Sequence, residues 1–168
     1  IEDANLKVMM GAEKKSRIIT ENERRLTAYH EAGHAVLTKL VGKNSTVHKV
    51  SIIPRGRAGG FTMSTPDEDN IYASKNEMLD QIIIMLAGRA AEELTMDDIS
   101  TGASNDIERA TNIARQMVKK YGMSDIIGPV SYDEGGEVFI GRDFGHSKNY
   151  SEKTAAEIDD EVRNILIK

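Results

Sequence analysis

The hydrophobic and polar positions along the chain repeat mainly with the period of an α-helix. The first such stretch begins at Thr20, which has the spacing of a capping box with Glu23, and it continues to Val41. Apolar residues recur along it at intervals of three and four, which gives a helix one apolar face. Gly42 follows directly, and we expect it to supply a left-handed C-terminal cap. The pattern therefore predicts one long amphipathic helix.

A second helical stretch is more apolar than the first. Ser74 and Glu77 have the capping-box spacing, and apolar positions follow at helical intervals as far as Leu94. The longest apolar run of the chain, residues 82–87, lies here and is far shorter than the about 20 residues needed to span a bilayer. We therefore expect this helix to form the core of a soluble domain.

Two more helices are predicted from capping and periodicity. Residues 105–108 have the N-cap spacing, with Asn105 as the capping residue, and apolar positions then recur until Gly122, which we expect to end the helix. A last amphipathic helix begins at about Ser151 and extends to the end of the sequence. Residues 1–19 are only weakly periodic, and we interpret them as a linker or a peripheral helix.

Two glycine-rich regions separate the helices. In residues 47–64, β-branched and apolar residues flank a turn with one proline and three glycines, which predicts two short strands. Residues 122–145 hold six of the fourteen glycines, and we expect an exposed, mobile segment with short strands at 130–132 and 137–140. The predicted fold class is mainly α, with a small β-sheet or hairpin beside the first helix.

The composition excludes several classes of chemistry. The 168 residues include no Cys, which excludes thiol proteases, redox centres and Cys-ligated zinc sites. The formal net charge is −5 and the basic residues are scattered, so we expect no nucleic-acid partner. A chain of this length can fold without a structural metal, and any metal that it binds should therefore be functional.

A HExxH motif lies within the first predicted helix, at residues 30–34. With 3.6 residues per turn, His30 and His34 share one face, so both imidazoles can reach one zinc ion. Glu31 lies one residue further round, where it can reach a water on the metal rather than the metal itself. Gly33 costs a helix about 1 kcal/mol relative to Ala, which favours close packing at that turn. The alternative is an exposed polar edge of the helix with no metal.

The motif supplies two ligands, whereas a catalytic zinc usually takes three from the protein. Leu37 and Leu40 occupy the positions that a metzincin fills with Gly and His, so that class is excluded. The candidates for the third ligand are His48, His146, Glu92, Glu93 and Asp106. We expect the first of these histidines to face solvent and the second to lie in the glycine-rich segment. Glu92 and Glu93 are carboxylates on an otherwise apolar helix, where they need a cation or a hydrogen-bond partner, and Asp106 is an acid favoured at a helix start. These arguments do not decide among the three.

Four blocks of sequence occur in a particular order along the chain. They are YHEAGHA at 29–35, VHKV and IIPRGRA within 47–58, GRAAEE at 88–93 and STGASND at 100–106. Together they resemble the peptidase domain of the FtsH family, which comprises membrane-anchored, ATP-dependent zinc metalloproteases. The resemblance extends from about Met9 to the end of the chain.

The resemblance implies a helical zinc endopeptidase domain and the residues of its site. The Zn2+ ligands would be His30, His34 and Asp106. Glu92 and Glu93 are the runner-up candidates for the third ligand, but we expect them instead to support the site or to pack the helix. Glu31 would act as general base on a zinc-bound water. A substrate-binding strand edge would bind extended peptide through its backbone and would comprise Gly59, Gly60, Phe61, Thr62 and Met63.

The resemblance also implies a larger assembly. Full-length family members form homo-hexamers anchored in the plasma (inner) membrane, with an ATPase module and with the peptidase domain on the cytoplasmic side. This chain contains no GxxxxGK[ST] phosphate loop, so we expect residues 1–19 to be a linker from a missing ATPase module. Residues 20–168 would then be the peptidase domain, truncated at its C-terminus.

We expect such a soluble fragment to associate weakly and to hydrolyse unfolded or ATPase-delivered polypeptides. Two other interpretations stay open. A non-catalytic helical interaction domain would take up no zinc, and a zinc hydrolase of non-peptide bonds would bind zinc without cleaving polypeptides.

Overall fold

The computed structural model describes residues 7–8, 11–13, 18–43, 45–56, 58–66, 71–132 and 149–168. These residues form a mainly α fold with one small antiparallel sheet, as the sequence predicts. The helices are α1 (Glu21–Val41), α2 (Lys75–Met96), α3 (Ser104–Lys119) and α4 (Glu152–Ile167), and the strands are β1 (Ser45–Ser51) and β2 (Phe61–Pro66). A single 3-10 turn, Thr101–Ala103, leads into α3.

Both predicted capping boxes are formed. At the start of α1, the Thr20 hydroxyl accepts a hydrogen bond from the Glu23 amide, while the Glu23 carboxylate accepts one from the Thr20 amide. Ser74 and Glu77 make the equivalent pair at the start of α2. These reciprocal bonds satisfy amides that a helix N-terminus otherwise leaves unpaired.

The predicted left-handed cap at Gly42 is wrong. Gly42 has φ −73° and ψ 81°, and its amide donates to the Thr38 carbonyl at 3.0 Å, so the helical hydrogen-bond pattern continues into the cap. A Cβ at this position would lie 2.5 Å from the Thr38 oxygen. Glycine is therefore needed here for close approach to the last turn of α1, and not for a positive φ.

The predicted start of α3 at Asn105 is also wrong. The helix begins at Ser104, directly after the 3-10 turn. That turn has its own capping residue, Ser100, whose hydroxyl accepts a hydrogen bond from the Gly102 amide. Asn105 therefore lies inside the first turn of α3. Gly122 has φ +58° just beyond the end of this helix, as expected of a stop residue.

The second predicted hairpin is not seen where the chain is described. Residues 130–132 form no strand, because the Tyr132 amide donates to the Lys119 carbonyl at the end of α3 and the Val130 amide donates to Gly128. Residues 137–140, and with them most of the segment predicted to be mobile, lie outside the described residues.

The chain divides into two compact units, Ile1–Ile107 and Glu108–Lys168. In the first unit, α1 packs along α2 and against both strands, whose antiparallel register runs from Ser45 opposite Pro66 to Ser51 opposite Phe61. Gly33 makes the close contact predicted for it, since a Cβ there would lie 2.4 Å from the Ala87 carbonyl oxygen. The first unit thus places the HExxH helix between α2 and the sheet.

The second unit has its own buried apolar side chains. They come from the later turns of α3 and from α4, and they are Ala110, Ala114, Met117, Val118, Ile158 and Val162. The Ser124 hydroxyl donates to Glu161 Oε1 at 2.8 Å and accepts from the Ile126 and Ile127 amides. Among the described helices, none combines the length and the apolar character that crossing a membrane requires.

Candidate metal centre

Helix α1 brings the two histidines of the HExxH motif together on one face. Their Nε2 atoms lie 3.0 Å apart, with the two rings close to perpendicular. Both imidazoles lie in the α1–α2 contact, and His30 is only 8% exposed. The sequence separation of four residues places them one turn apart, as predicted.

The other ring nitrogen of each histidine is held by α2. His30 Nδ1 lies 2.7 Å from Glu92 Oε1, and His34 Nδ1 lies 2.7 Å from the Ile84 carbonyl oxygen. Both partners are acceptors, so each Nδ1 carries the proton and donates it. In the neutral imidazoles the Nε2 lone pairs are therefore left facing one another, which is the arrangement found in histidines that bind metal.

Asp106 completes a cluster of three side chains that could hold a metal ion. The 3-10 turn and the first turn of α3 place its Oδ2 atom 3.3 Å from His30 Nε2 and 3.5 Å from His34 Nε2. The three ligating atoms all lie within 4.8 Å of one another, and no other such cluster occurs among the described residues. Three residues that the sequence separates by up to 76 positions thus converge on one point.

The electrostatics of the cluster favour a positive charge at that point. Burial lowers the pKa of His30, but hydrogen bonds to Asp106 and Glu92 outweigh burial and raise that pKa above its ordinary value. Burial likewise opposes ionisation of Asp106, yet hydrogen bonds from His30 and His34 hold its pKa well below the ordinary value. Both shifts mean that the site stabilises a proton or another cation between these groups.

Glu31 lies on α1 beside the cluster and faces the sheet. Its side chain is buried, and its Oε2 atom accepts a hydrogen bond of 2.7 Å from the Thr62 hydroxyl on β2. Burial raises the pKa of Glu31, while the bond from Thr62 and the nearby imidazoles reduce this shift without cancelling it. The carboxylate is thus held by β2 and lies within electrostatic range of His30, His34 and Asp106.

The remaining candidates for the third ligand lie elsewhere. Glu92 is fully buried and binds the Nδ1 side of His30, while its second oxygen accepts from the Ser100 amide at 2.7 Å. Glu93, the next residue, is exposed. His48 is exposed in β1 and contacts the Thr65 hydroxyl, and His146 lies outside the described residues. The position of Glu92 is therefore that of a support for His30.

Gly88 contributes space to the site, a role that the sequence analysis did not assign. A Cβ at this position of α2 would lie 2.5 Å from His30 Cε1 and 2.7 Å from His34 Nε2. Both imidazoles thus occupy volume that any larger residue would need. The sequence does contain an indication of this role. Gly88, like Gly33, lies inside a predicted helix, where glycine costs about 1 kcal/mol relative to Ala and therefore favours close packing at that turn.

Residues 59–63 lie along the same side of α1 as Glu31. β2 pairs with β1 on one side, and no described strand pairs with its other side. A Cβ at Gly60 would lie 2.6 Å from Thr27 Cγ2 and 3.0 Å from Glu31 Cγ, so this part of the chain approaches α1 closely. Phe61 is buried, so its side chain packs into the protein rather than facing solvent.

Comparison with known proteins gives consistent matches over almost the whole chain. The family model described as peptidase family M41 matches residues 17–168. The chain is 57% identical over 167 residues to ATP-dependent zinc metalloprotease FtsH 1 of Thermoanaerobacter sp. (strain X514), which covers 99% of this chain and 27% of that protein. It is 58% identical to FtsH 2 of Alkaliphilus metalliredigens (strain QYMF), at 99% and 24% coverage, and 48% identical to FtsH of Bacillus subtilis (strain 168), at 99% and 26%. The chain thus spans about a quarter of the length of these curated relatives.

Proposed function

The chain belongs to peptidase family M41, and from this membership and the geometry of its site we propose that it is a zinc-dependent endopeptidase domain. One observation carries the proposal: potential ligand atoms of His30, His34 and Asp106 lie within 4.8 Å of one another, and all three residues act electrostatically on the Glu31 carboxylate. The relatives are named zinc metalloproteases, which supports the same metal and the same class of reaction.

The donor groups present fit zinc. Imidazole nitrogen and carboxylate oxygen are ordinary zinc ligands, and three protein ligands leave one coordination position for the reaction. Each histidine is oriented through its Nδ1 atom by an acceptor on α2, which leaves Nε2 as the ligating atom. The cluster already favours a positive charge at its centre, and a divalent cation would supply it. We therefore assign His30, His34 and Asp106 as the zinc ligands.

The proposed reaction is hydrolysis of a peptide bond by water. When bound, zinc lowers the pKa of a coordinated water to about 7 and polarises the scissile carbonyl. Glu31 accepts one proton from the attacking water at its carboxylate, as that water's oxygen forms a bond to the carbonyl carbon. Glu31 then gives this proton to the amide nitrogen as the C–N bond breaks, so that the products are a carboxylic acid and an amine.

The proposed substrate is an extended polypeptide. Residues 59–63 would pair with its backbone, and backbone pairing accepts many side-chain sequences. Support comes from the position of this segment next to Glu31 and from the absence of a second partner strand for β2 in the described part of the chain. Because an extended chain is required, we propose that the substrates are unfolded polypeptides or chains delivered by an ATPase.

The relatives are about four times as long as this chain, and their names include ATP dependence. We therefore propose that this peptidase domain works in a protein that also carries an ATPase module and a membrane anchor. Residues 1–19 would link the modules and residues 20–168 would form the peptidase domain, and the family match beginning at residue 17 supports this division. In that protein the domain would lie on the cytoplasmic side of the plasma membrane within a homo-hexamer, whereas this chain alone would associate weakly.

Metal analysis combined with a cleavage assay tests the proposal. Purified protein should contain close to one zinc per chain and should cleave casein; a strong chelator should abolish cleavage, and added zinc should restore it. Protein that takes up no zinc would instead be an interaction domain. Protein that binds zinc but leaves every polypeptide intact would be a hydrolase of other bonds.

A further inference from the structure

The Thr62 hydroxyl contacts Glu31 twice. Its Oγ1 atom lies 2.7 Å from Glu31 Oε2 and 3.0 Å from the Glu31 backbone oxygen. Both of these atoms are acceptors, so the hydroxyl is the donor in either contact. We propose that Thr62 is a positioning residue, which holds the Glu31 carboxylate in the orientation from which it accepts the proton of the attacking water. This inference rests on the proposed function.

The close approach of the strand segment to α1 makes this contact possible. Side chains alternate along an extended segment, so Gly60 and Thr62 face the same way, towards α1. A Cβ at Gly60 would lie 3.0 Å from Glu31 Cγ and 2.7 Å from the Ser51 carbonyl oxygen. A larger residue at position 60 would therefore separate the segment from the helix. The glycine lets the backbone come near enough for the Thr62 hydroxyl to reach the carboxylate.

The bond fixes one oxygen of Glu31 and leaves the other for chemistry. A glutamate side chain has several rotatable bonds, and ordering it costs conformational entropy. Oε2 is held by Thr62, and within the described residues Oε1 has no hydrogen-bond partner. A carboxylate that is already ordered loses no further side-chain entropy on reaching the transition state. The contact should therefore increase the rate of the chemical step rather than the strength of substrate binding.

Thr62 also belongs to the segment proposed to pair with substrate. Its amide and carbonyl lie in β2, opposite Val50 of β1, whereas its side chain contacts the general base. The same residue thus joins the substrate-binding backbone to Glu31. A change confined to the hydroxyl should leave backbone pairing intact, which makes the two roles separable by experiment.

Kinetics of two replacements test the positioning role. Thr62→Val keeps the shape and removes the hydroxyl, and we expect kcat for labelled casein to fall roughly tenfold while KM stays within about twofold. Thr62→Ser restores the hydroxyl and should restore most of kcat. The matched control is Thr65→Val in the same strand, where the hydroxyl contacts the exposed His48, and its kinetics should equal those of the unmodified chain. An unchanged kcat in Thr62→Val, or a loss that Thr62→Ser does not restore, would overturn the proposal.

A second readout does not depend on activity. In metal-free protein, Thr62→Val should lower the urea midpoint of unfolding, because it leaves the buried Glu31 carboxylate without its donor. In a Glu31→Met background the same replacement should shift the midpoint less than about half as much. Equal shifts in the two backgrounds would overturn the proposal even if the enzyme is active. Should the unmodified chain cleave nothing, the proposed function fails, and this comparison still decides whether Thr62 holds Glu31. Thr62→Ala replaces Thr62→Val throughout if the valine variant does not fold.

Discussion

Glu92 Oε1 lies 2.7 Å from His30 Nδ1, and the Glu92 side chain has no exposure to solvent. The second oxygen of this carboxylate accepts from the Ser100 amide, directly before the turn that leads to Asp106. One buried carboxylate therefore orients a proposed histidine ligand and also fixes the chain segment that leads to Asp106, the proposed third ligand. A residue in this position should govern how tightly the site binds zinc without touching the metal.

Replacing Glu92 with glutamine tests this relationship. His30 Nδ1 and the Ser100 amide meet different oxygens of Glu92, and glutamine replaces one of these oxygens with an NH2 group, which donates and cannot accept. We expect zinc affinity to fall about 10- to 100-fold, as is usual when a group that supports a histidine ligand is removed. Competition against a fluorescent zinc chelator measures this. The matched control is Glu93→Gln, the exposed neighbouring residue, whose zinc affinity should not change. Equal affinities in the two variants would refute the supporting role.

Asp106→Asn tests the third ligand. The replacement keeps the size of the side chain and removes the anionic oxygen that faces both Nε2 atoms. Zinc affinity should fall roughly a hundredfold or more, because a neutral amide is a poor zinc ligand and Asp106 is the one carboxylate among the three proposed ligands. The same chelator competition measures it, with Glu108→Gln, an exposed residue of α3, as control. Unchanged affinity in Asp106→Asn would transfer the third-ligand role to another residue.

The capping box of α2 should contribute a pH-dependent part of the stability. Hydrogen bonds from the Ser74 amide and hydroxyl lower the pKa of Glu77 below its ordinary 4.5 in the folded protein. A folded-state pKa below the unfolded value gives stability that is present above about pH 4.5 and is lost as the pH falls through the folded value. Glu77→Gln should therefore be less stable than the unmodified chain at pH 7.

Urea unfolding of both proteins at pH 7 and in acid measures this effect. The difference in midpoint should shrink as the pH falls below about 4.5, since the wild-type carboxylate then becomes protonated as well. Glu108→Gln, on the exposed face of α3, serves as the control without a capping role. A difference that is the same at both pH values would contradict the capping contribution.

Most of the fold follows from local features of the sequence. Capping at Thr20 and Ser74 depends on residues three apart, and the HExxH geometry depends on residues four apart, so sequence spacing alone predicts both. The predictions at Gly42 and Asn105 are wrong for a shared reason: a capping pattern does not specify which nearby group accepts the bond. The Thr38 carbonyl accepts from the Gly42 amide, and the Ser100 hydroxyl accepts from the Gly102 amide in the turn before α3.

The choice between Asp106 and Glu92 could not be made from spacing. These residues lie 76 and 62 positions after His30, and their roles depend on which ring nitrogen each one meets. Which nitrogen each carboxylate meets depends on how α2 packs against α1 and on where the 3-10 turn places the start of α3. Both are tertiary relationships that sequence spacing does not specify. The contribution of Gly88 is of the same kind, since only the packed helices show that its missing side chain makes space for two imidazoles.

Zinc content and casein cleavage measured together in Glu31→Gln test the central claim most directly. The replacement keeps the shape of the side chain, leaves the three proposed ligands in place and removes the group that takes the proton from water. Zinc content should equal that of the unmodified chain, while the cleavage rate should fall by a factor of about a hundred or more. Normal cleavage by Glu31→Gln, at full zinc content, would contradict the account.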